Sequence, residues 1–144
     1  MIQPKQSRMH INPTRAQFDQ LKRLDREAPV SMLNLVRLRA KAEYEDGREA
    51  TGAEAYTAYG RESGKFFKQV GGELIWRGNP QLVLIGSEAE FWHIAFIARY
   101  PSVGAFMAMV TDPGYQAIVY HRNAGVEDSR LIAMGDRQAG GGFG

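Results

Sequence analysis

Polar side chains set into apolar stretches are the first place to look for chemistry in this sequence. Asn34 interrupts the row Val30, Met32, Val36, Leu38, and His93 interrupts the row Phe91, Ala95, Ile97. If those rows share a face, an amide and an imidazole converge in one apolar cavity, the usual setting of a small-molecule site. Otherwise each is a core residue satisfied by a hydrogen bond, or a strand-end residue near water.

Other candidates carry the same two readings. Tyr56 and Tyr59 fall on the buried stripe of a long helix, as core aromatics with wet hydroxyls or as acids or bases. Tyr115 follows Asp112-Pro113-Gly114, near a helix start where backbone amides can hold an anion. Arg122 can clamp a carboxylate, or it can pair with Asp128 or Glu127. Trp76 and Trp92 can wall a pocket or pack on each other. The set expected to line a ligand site is Asn34, Tyr59, Trp92, His93, Tyr115 and Arg122. No catalytic residue is assigned.

Several chemistries find no support. The chain has no cysteine, which removes disulfides, thiolate nucleophiles and cysteine-held metals. His10, His93 and His121 are scattered without metal-ligand spacing. There is no G-x-x-x-x-G-K phosphate loop, and no Ser/His/Asp arrangement can be read from order alone. Neither a metal nor a cofactor is expected.

These residues must be positioned by a small number of elements. The 144 residues suit one domain, and 44% hydrophobic with 24% charged content is ordinary for a globular chain. The net charge is only +2 and the signs are interspersed, so no basic stripe for nucleic acid is expected. No apolar run has membrane-spanning length and no secretory signal is seen, so a cytoplasmic protein is expected. Residues 1–28 are expected to form an arm, loose to Ile11, and a helix from Asn12-Pro13-Thr14 to about Arg26. Residues 29–135 form the main domain, and the glycine-rich residues 136–144 a disordered tail.

Within the main domain, Val30–Arg39 reads as a strand that is apolar in both alternate rows. Thr51 and Glu54 make a capping box that opens a helix ended by Gly71-Gly72. Glu73–Arg77 is a second strand, which Leu82–Ile85 is expected to resume. Phe91–Tyr100 is a third, again apolar in both rows. A helix from Pro101-Ser102 breaks at Asp112-Pro113-Gly114, resumes briefly, and gives way to a last strand, Val126–Met134. The order strand, helix, strand, strand, helix, strand predicts an α+β ferredoxin-like fold, a four-stranded antiparallel sheet with helices on one face. A parallel sheet would need a helix between Ile85 and Phe91, where there is no room.

The helices cover one face only, yet two strands are apolar on both. The uncovered face would carry Met32 and Val36, or the opposite row. Burying about 600 Å² of it per partner is worth on the order of 15 kcal/mol before association costs. A second copy packed sheet against sheet is the expected partner; the alternative is that the N-terminal helix covers that face.

Trp92, Arg99-Tyr100-Pro101-Ser102, Phe106, Met109, Asp112-Pro113-Gly114-Tyr115-Gln116, Arg122 and Asp128-Ser129-Arg130-Leu131 together resemble the family called domain of unknown function 1330. Val30–Leu35 and Gly52–Tyr59 resemble its longer members, so the resemblance spans about Val30 to Met134. It implies a dimeric α/β barrel and supplies no established activity. The expected function is a homodimer that binds a small organic molecule in an apolar cavity, with or without cofactor-free catalysis. Two alternatives stand beside it: monooxygenase-like chemistry on an aromatic substrate, from Asn34, Trp92 and His93 or His121, and a non-catalytic binding or regulatory dimer.

Overall fold

The computed structural model describes residues 9–144. Its elements are α1 (Arg15–Lys22), β1 (Val30–Leu38), α2 (Gly52–Gln69), β2 (Glu73–Gly78), β3 (Ile94–Tyr100), α3 (Val103–Thr111), α4 (Pro113–Ile118), α5 (Tyr120–Gly125) and β4 (Val126–Met134). The expected loose arm over residues 1–8 lies outside the described residues. Residues 9 and 10 are held against β4. The Met9 amide donates to the Glu127 carbonyl (3.2 Å) and the His10 amide to Asp128 Oδ1 (3.1 Å).

The strands pair antiparallel in the order β2-β3-β1-β4. A helical connection joins β1 to β2, and a second joins β3 to β4. This is the ferredoxin-like α+β arrangement expected from the element order.

Register decides which residues face the helices. Val30, Met32, Asn34 and Val36 on β1 sit opposite Tyr100, Ala98, Phe96 and Ile94 on β3. Val30, Met32, Ala98 and Tyr100 pack with Val103, Phe106, Met107, Met109 and Tyr115 in the main core. The other row, Leu33 and Leu35 of β1, pairs with Ile97 and Ala95 of β3 and with Ile132 and Arg130 of β4. It is this second row, not Met32 and Val36, that faces away from the helices.

α1 does not cover that outer row. Thr14 caps it in a reciprocal box with Gln17, and it ends at Lys22, short of the expected Arg26. Its Phe18 and Leu21 pack onto the main core, on the helix side of the sheet. The following loop is tied to the start of α3 by Val103 N to Ala28 O (2.9 Å) and Gly104 N to Arg26 O (2.8 Å).

Two strand expectations are corrected. β3 begins at Ile94, so Phe91, Trp92 and His93 precede it. Leu82–Ile85 does not resume β2: residues 79–93 form a connection without strand structure. Gly78-Asn79-Pro80 stops the ladder, because proline has no amide to donate and β3 has no pair beyond Gly78↔Ala95 to offer.

Candidate functional site

The helix-facing row of the sheet packs against α2, α3 and α4, and four tyrosines converge there. α2 carries Tyr56 and Tyr59 one turn apart, with ring centroids 5.5 Å from each other. The Thr51/Glu54 capping box fixes where α2 starts and so which stripe faces inward. α4 begins at Pro113, with Asp112 Oδ1 accepting from the Gly114 amide at 2.7 Å. That start sets Tyr115 in the first turn, pointing at α2. The Tyr59 and Tyr115 hydroxyls share a hydrogen bond of 2.7 Å. Tyr100 enters from β3, its ring edge-on to Phe67 and Phe106.

Burial pushes the Tyr115 phenol well above its ordinary 10.0; Tyr59 adds to the rise and the nearby Arg122 guanidinium opposes it. Burial raises Tyr56 and Tyr100 in the same way, with Tyr59 again adding. These hydroxyls therefore stay protonated at neutral pH. A neutral phenol can donate or accept a hydrogen bond and is a poor nucleophile.

A surface groove of about 400 Å³ lies beside this cluster, lined by Arg61, Glu62, Lys65, Phe66, Gly114 and Ile118. Its Phe66 meets Tyr115 edge-on, with centroids 6.4 Å apart. Gly114 is needed there: a Cβ at this position would lie 2.6 Å from the Phe66 ring. The groove thus has two cations and the Glu62 carboxylate at its rim, an aromatic wall in Phe66, and Tyr115 behind that ring.

The six expected site residues do not form one group. Tyr59 and Tyr115 touch. Arg122 is close enough to act on Tyr56 and Tyr115 electrostatically. It donates to the Ile11 carbonyl and to Ser129 Oγ (3.2 Å), not to Asp128 or Glu127 as one reading expected. Those carboxylates are engaged elsewhere, Glu127 by Arg37 at 2.7 Å and Asp128 by Arg130 at 2.8 Å. Asn34 lies in the helix-facing row, where its Nδ2 donates to the Met32 carbonyl at 3.1 Å.

Trp92 and His93 are elsewhere. Trp92 is buried, donates from Nε1 to Glu90 (3.0 Å) and lies under Arg130 of the outer row. His93 is exposed at the end of the sheet, and its Nδ1 accepts from the Leu38 amide at 2.8 Å. The anticipated convergence of Asn34 and His93 does not occur: Ala95 and Ile97, whose row His93 was read into, pair with Leu35 and Leu33 on the opposite face.

Sequence reasoning missed a second polar cluster. His121, 5% exposed, sits with its Nδ1 2.6 Å from the Tyr44 hydroxyl. Its Nε2 is 3.0 Å from Glu62 Oε2 but too far off axis for a hydrogen bond. Tyr120 lies against the imidazole with centroids 4.1 Å apart. Burial lifts the Tyr44 phenol above its ordinary value, against the pull of Arg48. Among the described residues no group of three or more histidine and acidic side chains could hold a metal ion. None of the described helices is long and apolar enough to cross a membrane.

The family model for a domain of unknown function, DUF1330, matches residues 47–136. The chain belongs to this family. The DUF1330 match starts after β1, later than the resemblance at Val30 suggested, and includes α2, α4, α5 and the groove between α2 and α4. RPA0582, a protein of unknown function from Rhodopseudomonas palustris, is 53% identical, with a TM-score of 0.86, covering 90% of this chain and 98% of its own. The methylated form of RPA0582 gives 54% identity and a TM-score of 0.88, covering 91% of this chain and 97% of its own. SnoaB, a cofactor-independent oxygenase from Streptomyces nogalater, is 17% identical with a TM-score of 0.50, over 78% of this chain and 96% of its own. That likeness is one of fold. No curated protein matches the chain.

Proposed function

We propose that this DUF1330 chain is a homodimer that binds a small organic molecule bearing a carboxylate or carbonyl oxygen, in the groove between α2 and α4. The observation that carries the proposal is the Tyr59–Tyr115 hydroxyl pair, 2.7 Å apart beside an otherwise apolar core. Two phenylalanines would pack there as well and cost no desolvation. A ligand oxygen that replaces one hydroxyl of the pair keeps both phenols satisfied, while Phe66 and Ile118 meet its apolar part. At the rim Lys65, beside the Arg61–Glu62 pair (3.8 Å), favours an anionic end.

Neutral phenols favour binding over nucleophilic chemistry, so the reading is of a binding site first. The monooxygenase alternative called on Asn34, Trp92 and a histidine together. Their separation to the helix-facing row, the outer row, the sheet end and the His121 cluster gives it no support. The homodimer is supported by the outer row Leu33, Leu35, Ile97 and Ile132, which α1 leaves uncovered.

A thermal-shift panel of small carboxylic acids, phenols and other aromatics tests the site, because a ligand of the native state raises the melting point. At least one compound is expected to raise it in the wild type, with the increment lost in Tyr115→Phe. Increments that survive the substitution would place the ligand elsewhere.

A further inference from the structure

The connection between β2 and β3 carries the most exposed aliphatic side chains of the described domain. Leu82 is 75% exposed, Leu84 84% and Ile85 93%. Among the described residues, no backbone hydrogen bond engages residues 82–85. A run of this kind, with high β-propensity and bare amides, is an association hazard unless something covers it.

We propose that Leu82–Ile85 is an exchanged arm, which in the dimer lies on the outer sheet face of the other copy. This rests on the homodimer proposed above and adds what closes it. The first support is continuity. Trp76, 52% exposed, belongs to the outer row through its pairing with Ile97, and the chain runs from it through Gly78-Asn79-Pro80 directly into the arm. The apolar surface of the outer face and that of the arm thus join. The second is area. Four strands about 4.8 Å apart, seven residues long at ~3.3 Å each, span roughly 450 Å². A stable interface needs about 800 Å² per partner. The two arms related by the dimer axis add apolar surface to that footprint. The third is the partner's composition. Leu33, Leu35, Ile97 and Ile132, flanked by Arg99 and Arg130, offer aliphatic side chains to the aliphatic arm of a second copy.

The absence of native cysteine makes the test clean. Leu84→Cys places a single thiol, to which a photoreactive benzophenone maleimide is attached. Equal parts of ordinary and 15N-labelled chain are mixed, allowed to exchange and irradiated. Cross-links between differently labelled chains, landing on peptides that contain β1, β3 or β4, are expected. Cross-links confined within one chain overturn the proposal by showing that the arm folds onto its own sheet. Light scattering of Leu84→Asp/Ile85→Asp, both fully solvent-facing positions in the single chain, gives a second reading. The 16.1 kDa monomer is expected from this variant and the dimer from the wild type. A variant that remains as dimeric as the wild type overturns the arm but leaves the dimer standing. A wild type that is itself monomeric overturns both, whereas a monomeric Leu35→Asp beside an arm-dependent dimer is the result expected if face and arm act together.

Discussion

Tyr115→Phe removes one hydroxyl and little else. The phenylalanine ring keeps its edge contact with Phe66 and its place in the core. What is lost is a 2.7 Å hydrogen bond between neutral groups. Such bonds contribute about 1 kcal/mol net, and the larger cost of stranding a buried partner is avoided here because Tyr59 is only partly buried and can turn to water. For a chain of this size a loss of about 1 kcal/mol lowers the melting temperature by roughly 3–5 °C. Tyr59→Phe should cost more, about 1–3 kcal/mol, because it strands the hydroxyl of Tyr115, which is buried. The double variant Tyr59→Phe/Tyr115→Phe should cost less than the sum, by about 0.5–1.5 kcal/mol, since each single change already loses the one bond the pair shares. Denaturant unfolding of the wild type and the three variants measures all four corners of the cycle. Additive single losses would mean that the hydroxyls do not share a bond in solution. A loss above about 3 kcal/mol in Tyr115→Phe would mean that the hydroxyl does more than this pair explains.

Three further outcomes are expected. Tyr56, Tyr100 and Tyr115 have raised phenol values, so their neutral forms favour the folded state, an advantage complete below pH 10.0 and lost only as pH rises through the higher folded values; the absorbance step at 295 nm around pH 10–11 should fall short of that of the denatured chain by three tyrosines. Burial would raise Asp128, but the hydrogen bond and charge of Arg130, with the Ser129 amide and His10, hold it below its ordinary 3.8. Its contribution to stability is therefore present above 3.8 and lost as pH falls through the lower folded value, so acid unfolding of Asp128→Asn should be shallower in that window. Gly52→Ala should destabilise by about 1–3 kcal/mol or more in denaturant unfolding, because its Cβ would fall 2.0 Å from the Arg39 carbonyl oxygen and backbone cannot step aside as a side chain can.

The architecture was legible because local signals and long-range ones agreed. The Thr51/Glu54 box, the stop at Gly71 (φ +83°) and the two-sided apolarity of Val30–Leu38 all point to one topology. The start of β3 was less legible. Phe91-Trp92-His93 is as apolar and aromatic as the strand it precedes, and nothing local says that pairing with β1 begins at Ile94. That offset cost the assignment of His93, whose ring caps the Leu38 amide instead of entering a pocket. The start of α1 is set by the Thr14/Gln17 box, which follows Pro13 directly and carries the stronger signal. Leu82–Ile85 looked like a strand because its residues have strand propensity, a preference that only a neighbouring strand can satisfy.

The candidate site was half visible for the same reason. Tyr59 and Tyr115 are 56 residues apart, and each could be placed on its own helix but not against the other. The Tyr44–His121–Glu62 cluster joins a loop to two helices across 77 residues, with no spacing to announce it. Arg122 was read as a partner for acids close in sequence, whereas the turn from α5 into β4 points it at Ser129 and the Ile11 carbonyl.

The most direct measurement uses protein labelled with 13C at the tyrosine ζ carbons, titrated with a compound that raises the melting point. The ζ signals of Tyr59 and Tyr115 should move together as the ligand binds, while those of Tyr44 and Tyr120 stay in place. Movement of the Tyr44 and Tyr120 signals, with Tyr59 and Tyr115 unchanged, would contradict the site proposed between α2 and α4.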